Sequence, residues 1–115
     1  MRLQNLFYAI KDWGVTKGIL GPQGKGTIQG QWAKVVEEIE ETAEAIQNYQ
    51  QGAGTIGAIQ DGIGDSIITL ILLAELFGTT AEECLRLAYL EIKDRTGTMQ
   101  DGTFVKDKNL TAQEQ

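Results

Sequence analysis

At 115 residues the chain is long enough for one domain and too short for two. Apolar residues make up 42% of it, and 10 Lys and Arg stand against 16 Asp and Glu for a net charge of −6; that supports a single core but not the basic face a dedicated nucleic-acid binder needs. Histidine is absent and cysteine occurs once, at Cys84, which removes His-based triads, His metal ligands, intrachain disulfides and cysteine zinc sites.

The chemistry left is that of carboxylates, Lys, Arg and hydroxyls. Residues 1–5 show no signal-peptide pattern. The longest apolar run, 67–77, has 11 residues and already holds Thr69 and Glu75, against the ~20 apolar residues of a membrane span. The expectation is a cytoplasmic protein without a membrane or nucleic-acid partner.

Leu3, Leu6, Ile10 and Trp13 follow helical spacing and predict a first helix over 2–13, ended by Gly14. Residues 14–30 hold six of the 14 glycines and the only proline, Pro22, and read as a long, flexible loop of the functional or mobile kind. Thr27 is placed to cap a second helix running to about Gln50, with Ile28, Trp32, Val35, Ile39, Ala43, Ile46 and Tyr49 as one apolar stripe. A turn at 51–54 leads to a third helix over 55–77, stopped by Gly78. Thr80-Ala81-Glu82-Glu83 reads as a capping box for a fourth helix ending near Gly97, with Cys84, Leu87, Ala88 and Leu90 to Ile92 as its apolar face. Residues 97–106 read as a turn or small hairpin around Asp101-Gly102, and the polar tail from Asp107 as frayed. Together these predict an all-α, four-helix bundle-like protomer in a single domain.

From Ile63 onward the third helix is apolar on nearly all sides, the pattern of a helix buried all round. A chain this short can hardly enclose such a helix alone, so burial against a second copy, a homo-oligomer, is expected. Trp13 and Trp32 are expected in the core, the alternative being that one lines a base pocket.

The distribution of charge is the most informative feature. Between Val35 and Leu85 there is no Lys or Arg, yet the stretch carries ten acids, five of them within 37–44. On a helical wheel Glu38 and Glu41 lie roughly 60° apart, while Glu37 and Glu41, and likewise Asp61 and Asp65, lie roughly 40° apart. The tight connection at 51–54 makes helices two and three antiparallel. Counting outward from it at ~1.5 Å per residue brings Glu41 level with Asp61 and Asp65. Unpaired carboxylates gathered in this way either protonate or take a cation, and a hard divalent ion such as Mg²⁺ suits oxygen ligands. Glu40 and Glu44 read instead as a solvated acidic face. Gly62 and Gly64, bracketing Asp65's approach, each cost about 1 kcal/mol in a helix interior; they serve either close helix packing or room for a metal-bound phosphate.

The bases lie outside the acidic span. Lys34 is one turn before Glu38, while Lys93, Arg95 and Lys106 lie on or beyond the fourth helix; a bound polyphosphate would call on such residues. The phosphate-binding loop pattern fails, because Gly24-Lys25 is followed by Gly26, and Asp61-Gly-Ile-Gly-Asp65 lacks the alternating oxygen ligands of an EF-hand.

Glu37-Glu38-Ile39-Glu40-Glu41 resembles the Glu-Glu-x-x-Glu motif of the MazG-like, all-α nucleoside triphosphate pyrophosphohydrolases, and Asp61-Gly-Ile-Gly-Asp65 resembles their second acidic motif in its Asp-x-x-Gly-Asp form. The usual form, Glu-x-x-Asp, would place an acid at position 62, where this chain has Gly62. Gln31, Trp32 and Lys34, and the segment from Ile92 to Lys106, extend the likeness over 27–106. The resemblance implies Mg²⁺-dependent hydrolysis (Mn²⁺ as a substitute) of a ribo- or deoxynucleoside triphosphate to monophosphate and pyrophosphate by a homodimer or homotetramer. It implies Glu38, Glu41, Asp61 and Asp65 as metal ligands and Glu37 or Glu38 as the group orienting water. Trp32, Lys34, Lys93, Arg95 and Lys106 would hold substrate. The alternative is a non-catalytic helical oligomerisation module with structural metal sites.

Overall fold

The computed structural model describes residues 1–108. The chain is mostly helical, with four helices and one two-stranded antiparallel sheet, in the order α1 (Leu3–Thr16), α2 (Ile28–Gln50), α3 (Ile56–Leu76), α4 (Ala81–Ile92), β1 (Gly97–Gln100), β2 (Thr103–Lys106). It divides into two compact units, Met1–Ala81 and the part from Glu82 onward.

In the first unit α3 is central, and both α1 and α2 pack on it. Threonine caps define the helix pair: the Thr27 hydroxyl accepts from the Gly30 amide at 3.0 Å, and the Thr55 hydroxyl from the Ala58 amide at 3.1 Å, each satisfying an amide that the first turn leaves without a helical partner. Gly52, at φ 81°, turns the chain between α2 and α3, and Gly78, at φ 77°, ends α3, both in the left-handed region where a side chain is strained. The short turn makes the two helices antiparallel. Gln31, near the start of α2, donates to the Thr69 carbonyl far along α3 at 3.1 Å, and Thr42 meets Ser66. Val35, Ile71 and Leu72 are buried, with Phe7 of α1 and Leu20 of the following loop.

Two expectations about the N-terminal region are corrected. Gly14 does not end the first helix: α1 runs on to Thr16. A Cβ at Gly14 would lie 2.7 Å from Leu72 Cδ2 and 3.0 Å from Leu20 Cδ1, so this glycine is there for close packing, and Gly18, at φ 81°, follows the helix end instead. The glycine-rich loop is also shorter than 14–30 and is folded on itself. Its amides at Ile19, Lys25 and Gly26 donate to the carbonyls of Gly14, Gly18 and Ile19 at 2.9, 2.8 and 3.1 Å.

The third helix is not covered on all sides. Ser66, Thr69, Ile71 and Leu72 are buried, while Ile63, Ile67, Leu70 and Phe77 remain exposed. As an unbroken helix, α3 is also long and apolar enough to cross a membrane by length and composition, which the shorter apolar run in the sequence does not suggest. Trp13 and Trp32 are about half-exposed rather than in the core.

In the second unit α4 stops at Ile92, short of Gly97, and contains no buried residue among those described. The hairpin forms where expected, pairing Gly97 with Lys106 and Gln100 with Thr103. Asp101 and Gly102 take φ 51° and 86°, the positive pair that a two-residue turn needs to match strand twist. Asp107 is held rather than frayed: its amide donates to the Thr96 carbonyl at 2.9 Å and its carboxylate accepts from the Thr96 hydroxyl at 2.8 Å. The rest of the tail, 109–115, lies outside the described residues.

Candidate functional site

The acidic residues of α2 and α3 meet along one side of the helix pair. The register is set by small side chains. Thr42 donates to the Glu38 carbonyl at 2.7 Å, Ser66 to the Gly62 carbonyl at 2.8 Å, and the two hydroxyls face each other at 3.3 Å. A Cβ on Gly62 would come within 2.6 Å of the Thr42 hydroxyl and 3.1 Å of the Thr42 Cα. Gly62 therefore serves close helix packing. Gly64 differs: nothing stands within 4 Å of where its Cβ would be.

At this register Glu38, half-buried on α2, stands in the field of Glu41 and Asp65. Its pKa is raised, first by loss of solvent, then by a hydrogen bond with the Glu41 carboxyl, then by the charges of Glu41 and Asp65; Lys34 acts in the opposite direction. Thus Glu38 is near enough to Glu41 and Asp65 to feel both charges. Asp61 lies one turn before Asp65, exposed on α3.

The expectation that the cluster has no local base is corrected. Lys34 Nζ donates to Glu37 Oε1 at 3.1 Å, and its pKa is raised by that hydrogen bond and the charge of Glu37, then more weakly by Glu38 and Glu41. Glu37 is thereby turned toward Lys34. Elsewhere, Lys11 pairs with Glu75 at 3.4 Å, so the acid nearest the C-terminal end of α3 also has a basic partner. Lys93, Arg95 and Lys106 belong to the second unit. There Lys93 lies 3.9 Å from Asp94, Arg95 donates to Glu91 at 3.3 Å, and Lys106 is exposed on β2.

The sequence reading missed the cleft beside the cluster. It has a volume of about 300 Å³ and is lined by Glu41, Glu44, Ala45 and Asn48 from α2, with Gly54 and Ala58 opposite. Glu44 is thus part of a concavity rather than a plain solvated face. The signal was present: positions 41, 44, 45 and 48 follow the three- and four-residue spacing of one helix face, and small residues stand at 54 and 58.

The donor set fits a hard divalent cation in kind. Carboxylate oxygens would supply the ligands, and a bound cation would offset the crowding of negative charge that contributes to the raised Glu38 pKa. Among the described residues no three such side chains are gathered at ligand distance. No family model, curated protein or solved structure matches the chain.

Proposed function

We propose that the chain is a Mg²⁺-dependent nucleoside triphosphate pyrophosphohydrolase, with Glu38, Glu41 and Asp65 as the residues that would hold the metal and Asp61 as an additional ligand. The observation that carries the reading is the electrostatic coupling of Glu38 to both Glu41 and Asp65 across two helices. It supports reading the two acidic motifs that resemble the MazG-like family as parts of one site. Bound Mg²⁺ would neutralise the triphosphate and lower the pKa of a bound water.

The reaction is attack of water on the α-phosphorus, in line with the bridging oxygen to the β-phosphorus. That P–O bond breaks, pyrophosphate leaves with the bond's electron pair, and the water's proton passes to a carboxylate. Glu37 and Glu38 are the carboxylates assigned to that role. Lys34, already beside Glu37, is positioned to exchange that partner for a phosphate oxygen. Trp32 is a further substrate contact in this proposal. The cleft beside Glu41 would take the nucleoside end, with the Asn48 amide offering both donor and acceptor.

The test is incubation of the purified protein with a panel of ribo- and deoxynucleoside triphosphates and Mg²⁺, assaying pyrophosphate and orthophosphate separately. Pyrophosphate release, lost with a chelator and lost in Glu41→Gln, is expected. Orthophosphate alone means a different bond is cut. No turnover with any nucleotide, while Mg²⁺ still raises the melting temperature, returns the protein to the structural-metal alternative.

A further inference from the structure

The cleft beside Glu41 holds two polar side chains, Glu44 and Asn48, that have no partner among the described residues. They stand four residues apart on α2, so one helix turn, ~6 Å, separates them on a single face. The backbone at Asn48 is fixed. Its carbonyl accepts from the Ala53 amide at 2.8 Å, and a Cβ on Gly54 would come within 3.1 Å of the Asn48 Cβ. The rest of the lining is Ala45, Gly54 and Ala58, small groups that leave room for a flat ring and add no hydrogen-bonding side chain of their own. Glu41 also lines the cleft, and its charge acts on Glu38, so the cleft is continuous with the acidic cluster.

We infer that this cleft selects a guanine base, Glu44 accepting from its Watson–Crick edge and Asn48 donating to its O6/N7 edge, an inference that rests on the nucleotide-hydrolysing function proposed above. Donor and acceptor count decides between the bases. A carboxylate offers two coplanar acceptor oxygens and no donor. Guanine alone among the common bases presents two donors side by side, N1–H and the N2 amine, which meet both oxygens in the paired geometry a guanidinium makes with a carboxylate. Adenine and cytosine set one amine beside a bare ring nitrogen, whose lone pair opposes the second oxygen. Uracil and thymine set a single N–H between two carbonyls, with the same result. Along its other edge guanine shows only acceptors, O6 and N7, and the Asn48 amide nitrogen donates to such atoms. The base is neutral and enters an acidic cleft without a basic partner, while Glu41 and Glu44 repel phosphate from the same place. The nucleotide is thereby oriented, base in the cleft and phosphates toward the residues that would hold the metal.

Calorimetric titration of the full chain with nucleoside monophosphates in Mg²⁺ tests base selection without turnover. GMP is expected to bind at least about tenfold more tightly than AMP, CMP or UMP. Inosine monophosphate, which lacks only the N2 amine, is expected to lose most of that advantage, a comparison that needs no variant. Glu44→Gln and Asn48→Leu, at exposed positions, should keep the helical circular dichroism and each lower the GMP-to-UMP affinity ratio about tenfold. Glu40→Gln removes the same charge from another exposed position of α2 and should leave the ratio unchanged. GMP binding no tighter than UMP, inosine monophosphate binding as well as GMP, or a GMP preference that survives Glu44→Gln overturns the inference, whether or not triphosphates are hydrolysed. A guanine preference that depends on Glu44, in a protein that releases no pyrophosphate from GTP, upholds the base site and removes the hydrolase reading alone.

Discussion

The hydroxyls of Thr42 and Ser66 stand 3.3 Å apart between α2 and α3, and this contact sets the height at which the acids of one helix meet those of the other. Each hydroxyl also satisfies a carbonyl of its own helix, four residues back. Neither side chain is long enough to hold the helices apart, so the backbones approach closely and Glu38 feels the charge of Asp65.

That approach predicts opposite outcomes at two neighbouring glycines. Gly62→Ala gains about 1 kcal/mol of helix propensity, but its methyl overlaps Thr42, backbone included, at a cost of about 1–3 kcal/mol. The net expected is destabilisation. Gly64→Ala meets nothing and is expected to stabilise by up to about 1 kcal/mol. Urea unfolding of the two variants checks the pair, and equal shifts of the same sign would contradict the packing described.

Stability should fall as the Glu38 carboxyl, whose pKa is raised, loses its proton. A folded-state pKa raised above its unfolded value gives stability that is complete below the unfolded value, about 4.3 for Glu, and disappears as pH rises through the folded value. Glu38→Gln removes the charge while keeping the shape. It is expected to raise the melting temperature at neutral pH, with the gain shrinking as the solution is acidified. A melting temperature for Glu38→Gln that stays below wild type across the range would mean the carboxylate is favourably placed.

Mg²⁺ should reverse the same balance. At neutral pH the wild type is expected to melt higher with Mg²⁺ than with chelator, since a ligand of the folded state alone stabilises it. Glu41→Gln and Asp65→Asn should each lose most of that increment. Calorimetric titration with Mg²⁺ giving no heat in the wild type would count against the metal assignment directly.

Lys34 is exposed and pairs with Glu37 on the surface, where such pairs contribute little to folding. Lys34→Gln should leave the melting temperature nearly unchanged. If Lys34 contacts a phosphate, KM for the triphosphate should rise roughly tenfold with a smaller effect on kcat. A large loss of stability would assign it a structural role.

Thr27→Ala should cost about 1 kcal/mol, because the Thr27 side chain satisfies the Gly30 amide at the start of α2. Helicity and urea midpoint both report it.

The parts of the fold legible in the sequence are those governed by local rules. Thr27, the turn at Gly52, Gly78 and the Asp101-Gly102 turn each have a short-range physical reason, and each sits where that reason puts it. Gly14 was misleading because its role is tertiary: it stands in a helix so that Leu72 and Leu20 can approach, and nothing nearby in the chain encodes that. Likewise Lys34 falls just outside the acidic stretch in the chain, yet a helix turn carries it to Glu37. The antiparallel meeting of Glu38 and Asp65 was legible because a short turn leaves two helices little choice. The cleft lined by Asn48 was not, since it depends on what stands opposite at Gly54 and Ala58.

α2 carries three longitudinal strips at once: contacts to α3, an apolar flank and an acidic flank. One residue inserted or deleted midway along it would rotate everything beyond that point by about 100°, swinging carboxylates toward the helix seam and isoleucines toward the acids. The length of this segment is therefore constrained more tightly than its composition, and tolerated variation should appear as side-chain exchanges within a strip and almost never as gaps.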